Sequence, residues 1–187
     1  MDGGIAACVT GNSKIIKSYN IGYIHSRETG SSYTSLCMSG GIIGYTQGNA
    51  TTIENCYNIG ETYGMTHVGG IIGHISSSGS VIINNCYTMG RITGNNRYAI
   101  VGIHNSTPAI MSNNYWLTNC GAISGSYSNG NANATPLNEE EIKGLALTLS
   151  DSYTNDEKTK IIDEETGEEK EVWKYNNGYP ILKWQLR

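Results

Sequence analysis

Residues 69–94 read GGIIGHISSSGSVIINNCYTMGRITG, and this pattern has a close second copy in the chain. Residues 40–64 read GGIIGYTQGNATTIENCYNIGETYG, with the same GGIIG opening, the same NCY centre and a glycine three residues after the tyrosine. Internal repeats with a period of about 20 to 50 residues are the sequence signature of solenoids, propellers and repeat arrays. The repeat therefore limits the expected fold to these repeat architectures.

Two weaker copies extend the series in both directions. The first covers residues 3–26 and keeps a Gly-Gly-Ile opening and a central tyrosine, Tyr19. The fourth begins at residues 99–102 and reaches its tyrosine at Tyr115. We predict that the four copies form one domain, residues 1–135.

Within each copy the apolar residues come in short β-branched bursts, such as residues 42–43, 71–72 and 81–83, separated by Gly, Ser and Asn. This is the pattern of strands and turns, and helical periodicity is absent. A burst this short cannot bury its apolar face alone, whereas equivalent bursts of successive repeats can do so by stacking into parallel sheets. We therefore predict an all-β fold, a parallel β-helix (solenoid) of about four coils.

Residues 136–187 differ in character and are predicted to cap the solenoid by packing on its end, because exposed sheet edges invite pairing with other chains. Residues 137–149 favour a short helix, with Asn138 as its N-cap and glutamates in its first turn. Residues 160–163 and 171–175 flank a turn and predict a β-hairpin, and residues 179–184 predict a last strand.

Composition and charge argue against several partners. The formal net charge is −4 and there is no cluster of Lys or Arg, so neither nucleic acid nor anionic lipid is expected as a partner. No apolar run approaches the roughly 18 residues that span a bilayer, so no membrane insertion is expected. The five cysteines form no CxxC pair and no histidine stands at zinc-site spacing. This predicts no metal site, no cofactor and no complete disulfide framework.

The start of the chain indicates a piece of a longer, multidomain protein. Residues 1–4 do not form the basic and then apolar start of a signal peptide, and residues 3–5 already belong to a repeat. An export signal, if there is one, is expected outside this fragment.

Alignment of the copies gives two columns at their centres. One contains Ser18, Cys56, Cys86 and Asn114, and the other contains Tyr19, Tyr57, Tyr87 and Tyr115. For the first column we predict an inward ladder of small side chains, because in-register parallel strands suit disulfide geometry poorly. A redox pair of Cys56 and Cys86 is the alternative.

For the tyrosine column, strand alternation places each ring on the side opposite its cysteine neighbour. Cys86 is thus expected to face the core and Tyr87 to face solvent, in an exposed aromatic stripe that can stack on sugar rings. The alternative is a ladder of rings that pack on one another or point into the core. A turn at Asn55 would break the alternation.

No pattern in the sequence predicts catalysis. Residues 1–135 contain few acids, which are Asp2, Glu28, Glu54 and Glu61, so paired carboxylates are hard to assemble there. The histidines are scattered through the repeats at His25, His67, His74 and His104. The Gly-Gly pairs are interpreted as turns that need positive φ, since no phosphate-loop residues follow them. The acids of residues 163–171 favour a hairpin edge over a calcium site.

The repeats resemble the GLUG motif family, which has a GG-(I/L)-(I/V)-G start and an NCY-x-x-G centre and occurs in large surface proteins of bacteria, including IgA-specific metallopeptidases. The matching residues are 40–44 with 55–60 and 69–73 with 85–90. The resemblance covers residues 3–125 and implies a right-handed parallel β-helix on an exported, surface-attached protein. It supplies no catalytic motif, and the chain has no HExxH. The first and fourth copies depart from the pattern, so irregular coils are expected there.

Two functions from different classes follow. The first is a non-catalytic structural or adhesive module of a bacterial cell-surface or secreted protein, with an unknown glycan or protein of a host or cell wall as its partner. The second is a carbohydrate-active β-helix enzyme, similar to a polysaccharide lyase or a glycoside hydrolase. An enzyme would need a groove with two close carboxylates, or one carboxylate beside a His, Lys or Arg.

Overall fold

The computed structural model describes residues 1–26, 37–76, 80–105, 109–127, 133–154, 160–162, 169–171 and 179–186. The chain forms two compact units, Met1–Leu137 and Asn138–Arg187, which we call the repeat unit and the C-terminal unit. The packing of the C-terminal unit on the end of the repeats stays a prediction.

The described part of the repeat unit consists of short strands. In chain order they are β1 (Asp2–Gly3), β2 (Ala6–Ile16), β3 (Tyr19–Asn20), β4 (Ile24–Ser26), β5 (Met38–Gly40), β6 (Ile43–Glu54), β7 (Tyr57–Asn58), β8 (Thr62–Gly69), β9 (Ile72–Ile75), β10 (Ser80–Asn84), β11 (Tyr87–Thr88), β12 (Ile92–Tyr98), β13 (Val101–His104), β14 (Ile110–Ser112), β15 (Asn114–Leu117) and β16 (Ala134–Leu137).

These strands form three sheets. Sheet A has the order β1-β5-β8-β12, with β4 also beside β8, and sheet B has the order β13-β9-β6-β10-β14, with β2 also beside β6. Sheet C has the order β16-β15-β11-β7-β3. Every pairing of named strands described in this unit is parallel, and the partners come from successive repeats. The predicted all-β class, with parallel sheets, is confirmed.

The core of the repeat unit is built from columns of equivalent apolar residues. In sheet B, Ile53 lies directly beside Ile83, and Ile43 lies beside Ile72. All four side chains are fully buried. Burying an isoleucine side chain contributes about 1.5 to 3 kcal/mol relative to leaving it exposed, so stacking supplies the stability that a single burst lacks.

Sheet C contains one strand more than the repeat alignment predicts. Strand β16 lies beside β15, with Ala134 paired to Asn114 and Thr135 paired to Tyr115. Ala134 and Thr135 therefore belong to a strand where the sequence pattern predicts none. These residues take the cysteine and tyrosine positions of a further turn, although they share no residue type with either column.

One residue in each coil adopts a left-handed backbone conformation just before the chain enters sheet C. This residue either directly precedes the sheet C strand or is separated from it by one residue. The φ angles are between 47° and 63° at Lys17, Asn55, Asn85, Asn113 and Asn133. Asparagine tolerates this region better than other residues with a Cβ atom, because its short polar side chain can hydrogen-bond locally. The chain thus changes direction at the same place in every coil.

The Gly-Gly pairs have a different role from the predicted one. None of Gly40, Gly41, Gly69 and Gly70 has a positive φ, so the interpretation as positive-φ turns is wrong. These glycines are needed because backbones approach closely: a Cβ on Gly41 would overlap the carbonyl oxygen of Gly70 and the side chain of Asn58. The pairs mark the point where sheet A turns into sheet B with no space for a side chain.

The described residues of the C-terminal unit begin with the helix α1 (Glu139–Lys143), shorter than the predicted stretch. Asn138 caps it, accepting from the backbone N–H groups of Glu140 and Glu141 at 2.9 Å each. A single 3-10 turn, Leu145–Leu147, follows. Two antiparallel pairs complete the unit, β17 (Tyr153–Thr154) with β20 (Ile181–Leu182) and β18 (Lys160–Ile162) with β19 (Glu169–Glu171).

Some predicted features of this segment lie outside the described residues. They are Glu28, the acids of residues 163–168 and the hairpin residues 172–175. The predicted last strand, residues 179–184, is limited to β20 and runs into a 3-10 turn, Lys183–Leu186.

Replacing Gly41 with alanine should lower the free energy of unfolding by about 3 kcal/mol or prevent folding, because the added Cβ overlaps backbone that cannot move aside. Gly22→Ala is the matched control, since its Cβ would make only an ordinary contact, 3.5 Å from the Asn20 Oδ1 atom. Urea unfolding followed by circular dichroism measures both. Equal unfolding midpoints for the two variants would contradict the close-approach argument.

Candidate functional site

The tyrosine column forms a stack of rings inside the repeat unit. The ring centroids of Tyr19 and Tyr57 are 5.2 Å apart, and those of Tyr57 and Tyr87 are 5.0 Å apart with an interplanar angle of 6°. The exposed fraction is 1% for Tyr57 and 0% for Tyr87, while Tyr19 and Tyr115 are half-buried. The expectation that Tyr87 faces solvent is therefore wrong, and rings as deeply buried as Tyr57 and Tyr87 cannot stack on a sugar.

The left-handed residues explain why alternation fails. Asn55 and Asn85 turn the chain immediately before Cys56 and Cys86, so the cysteine and the tyrosine that follows it are both buried. Burial, and then the charge of Tyr57, raise the pKa of the Tyr87 hydroxyl well above its usual value. This tyrosine therefore stays protonated near neutral pH.

The neighbouring column is a ladder of hydrogen bonds to backbone carbonyl groups. The Ser18 hydroxyl donates to the Ile16 carbonyl at 2.9 Å, and the Cys56 and Cys86 thiols lie 3.4 and 3.3 Å from the carbonyl oxygens of Glu54 and Asn84. Each group thus bonds two residues back along the chain. Asn114 instead donates to the carbonyl of Ile83 at 2.8 Å and accepts from the Cys86 N–H at 3.0 Å.

The cysteines of this column are free thiols, and both are fully buried. Burial raises the pKa of Cys86 well above its usual value, while the Cys86 thiol lowers the pKa of Cys56. Reactive thiols are accessible thiolates, and neither residue is accessible. The inward ladder describes this column better than the redox alternative.

Sequence reasoning missed a third column, which carries buried amide groups. Asn20 and Asn58 follow the tyrosines of the first two repeats, and the Asn20 Nδ2 group donates to Asn58 Oδ1 at 2.8 Å. Asn58 is fully buried and itself donates to the Gly60 carbonyl at 3.1 Å and the Thr62 hydroxyl at 3.2 Å. The signal was the polar residue that follows the tyrosine in the first three repeats, Asn20, Asn58 and Thr88. A polar group with its partners in place is tolerated in a core.

Three histidines of the repeat unit, His67, His74 and His104, are half-buried or buried. The His74 ring contacts the Met38 sulfur at 2.9 Å and Asn105 Oδ1 at 3.0 Å, so its partners are a thioether and an amide. Burial lowers the pKa of His67, His74 and His104. Among the residues that the structure describes, no group of three or more His, Cys, Asp or Glu side chains could hold a metal ion.

A polar cavity of about 460 Å³ lies beside β12 in the repeat unit. Its lining includes two guanidinium side chains, Arg91 and Arg97, together with Met89, Thr93 and Asn119. Arg97 is fixed by the fold, with Nε donating to the Gly121 carbonyl at 2.6 Å and Nη1 donating to the Gly94 carbonyl at 3.0 Å. No motif marks this cavity in the sequence.

A second cavity, of about 360 Å³, lies near the start of the chain. It is lined by Asp2, Tyr23 and His25 among others, and Tyr23 has an exposed fraction of 57%. The Tyr23 hydroxyl is 2.8 Å from the His25 Nδ1 atom. An exposed aromatic ring thus lies here rather than on the tyrosine column.

Comparison with protein-family models, with curated proteins and with solved structures finds no match in any of the three. Within the part of the chain that the structure describes, no helix is both long enough and apolar enough to cross a membrane. The functional proposal therefore rests on the geometry of the repeat unit.

Tyr87→Ala should lower the free energy of unfolding by about 3 to 5 kcal/mol, because it removes a fully buried ring from the stack and leaves a cavity. Tyr23→Ala, at an exposed position, should change it by less than about 1 kcal/mol. Urea unfolding midpoints compare the two variants. A folded Tyr87→Ala protein with wild-type stability would show that the stack is not structural.

Proposed function

We propose that the chain is a non-catalytic structural and adhesive module of a bacterial cell-surface or secreted protein, with a glycan or protein of a host or cell wall as its partner. In this proposal the repeats wind as a right-handed parallel β-helix of the GLUG type. In-register parallel pairing of equivalent residues, such as Tyr19, Tyr57, Tyr87 and Tyr115, supports this winding. A rigid stack of this kind holds its outer surface in a fixed geometry.

The observation that carries the proposal is the burial of the centres of the second and third repeats. Cys56, Tyr57, Cys86 and Tyr87 are all buried, so the repeated frame builds the core and leaves binding to the outer surface and its cavities. That outer surface carries exposed apolar side chains as well as polar ones, for example Ile82 and Ile110 next to each other on sheet B. Such a mixed surface suits adhesion.

The enzyme alternative has two features in its favour: Asp2 and His25 line the same cavity near the start of the chain, and a carboxylate lies beside a cation at the cavity beside β12. The Glu61 carboxylate lies 3.8 Å from Arg91, and Arg91 lines the cavity beside β12. A lyase, however, needs a side chain that accepts a proton, and arginine stays protonated in proteins. Glycoside hydrolysis needs a second carboxylate about 5 to 10 Å from the first. The lining of the cavity beside β12 contains no Asp or Glu, and the lining of the cavity near the start of the chain contains a single carboxylate, Asp2, so we favour binding without turnover.

The proposal is tested by presenting the purified chain to immobilised host and cell-wall glycans and matrix proteins, and assaying the same samples for bond cleavage. Retention without new reducing ends and without unsaturated uronate absorbance is the expected result. Cleavage of any glycan would support the enzyme alternative instead. Lack of retention on every surface would contradict the adhesive role.

A further inference from the structure

We propose that the cavity between Arg91 and Arg97 binds an acidic saccharide, a sugar chain that carries carboxylate or sulfate groups. This inference rests on the proposed adhesive function, because it names the ligand class of one surface of the module. Planar guanidinium groups match carboxylate and sulfate oxygens with paired N–H donors. Two of them on one cavity are the feature that selects an anion.

Arg97 provides the fixed half of the site. Two of its N–H groups donate to the carbonyls of Gly121 and Gly94, which orients the guanidinium plane. A guanidinium has five N–H donors, so further donors remain for a ligand. The side chain is half-buried, and its position is set before any ligand arrives. A preorganised donor loses little side-chain entropy on binding.

Arg91 provides the adjustable half. Its side chain is 72% exposed, and its ion pair with Glu61 is long, at 3.8 Å. An exposed ion pair of this kind is worth about 0 to 1 kcal/mol, so an incoming anion can replace Glu61 at little cost. The repeat unit has few other acids, and the anion therefore meets little local repulsion.

The remaining walls suit a sugar ring. Met89 is half-buried and offers an apolar surface to the C–H face of a ring, while Thr93 and Asn119 offer groups that can bond to hydroxyls. The volume of about 460 Å³ falls within the range of small-molecule sites.

The backbone around the cavity favours a saccharide over a peptide. Strand β12 ends the described order of sheet A, and residues 120–124 cover its edge: Ile92 N–H donates to the Cys120 carbonyl at 2.7 Å, and Ile123 N–H donates to the Arg97 carbonyl at 2.9 Å. Between these bonds the covering segment turns at Gly121, with a φ of 94°. A peptide that binds by adding a strand finds these edge groups already used.

The test is calorimetric titration of the full chain with four ligands of matched length: an oligogalacturonate that supplies carboxylates, a heparin fragment that supplies sulfates, a neutral cello-oligosaccharide and an oligoglutamate peptide. We expect binding of at least one acidic saccharide, weakened by added salt, and no comparable binding of the neutral sugar or the peptide. Comparison of the first two ligands identifies which anion the site takes.

Arg91→Gln should weaken that binding about tenfold, because it removes one charged donor pair from an exposed position without disturbing the fold. Lys14→Gln is the control, an exposed cation on β2 outside the cavity, and should change the affinity less than about twofold. Arg97→Gln should also weaken binding, with a thermal unfolding midpoint measured alongside because Arg97 holds Gly121.

Equal effects of Arg91→Gln and Lys14→Gln would overturn the inference, as would equal binding of the neutral sugar or tighter binding of oligoglutamate. Failure of every acidic saccharide to bind would overturn it as well. If the chain still adheres to neutral glycans or to proteins in these cases, the adhesive function stands and only the assigned site is wrong.

Discussion

One left-handed residue per coil is the constraint on which the repeat unit depends. At this residue the chain turns toward sheet C, and the next side chains, such as Cys86 and Tyr87, both enter the core. The ring stack, the thiol ladder and the buried bond between Asn20 and Asn58 all follow from this turn, because each is built by residues just after it. Glycine pairs complete the requirement at the turn between sheets A and B, where a Cβ on Gly41 would overlap the Gly70 carbonyl oxygen and the Asn58 side chain. Successive strands in register, roughly 4.8 Å apart, then repeat these contacts from coil to coil.

Repetition made the fold class predictable, and local backbone geometry made the details unpredictable. Equivalent β-branched bursts required stacking, and parallel sheets were the way to provide it. The side taken by Tyr87 could not be derived by counting, because a single positive φ at Asn85 changes which residues share a face. Strand β16 could not be predicted from the sequence for a related reason. Ala134 and Thr135 resemble no earlier repeat, and Asn133, the residue that marks the turn, is one asparagine among many in the chain.

The candidate site was even harder to predict from the sequence. Arg91 lies near the end of the third repeat and Arg97 lies between the third and the fourth, and no motif of the sequence links them to a common cavity. The cavity lies where the fourth copy departs from the pattern: residues 119–121 line it, and the Cys120 carbonyl accepts a hydrogen bond from the Ile92 N–H at the edge of β12. A motif search finds what repeats, whereas this site forms where the repetition fails. The proposed ligand accordingly depends on one irregular turn and not on the repeated frame.

The most direct test of the left-handed constraint is the order of stability among substitutions at two adjacent positions. At Asn85, where φ is 52°, glycine should be tolerated best, alanine should cost about 1 kcal/mol more, and valine about 2 kcal/mol or more beyond glycine. At Asn84, the last residue of strand β10, valine should be tolerated better than glycine. Urea unfolding midpoints of the four variants Asn85→Gly, Asn85→Val, Asn84→Gly and Asn84→Val give the result. Opposite orders at the two positions are predicted, and the same order at both would contradict the account.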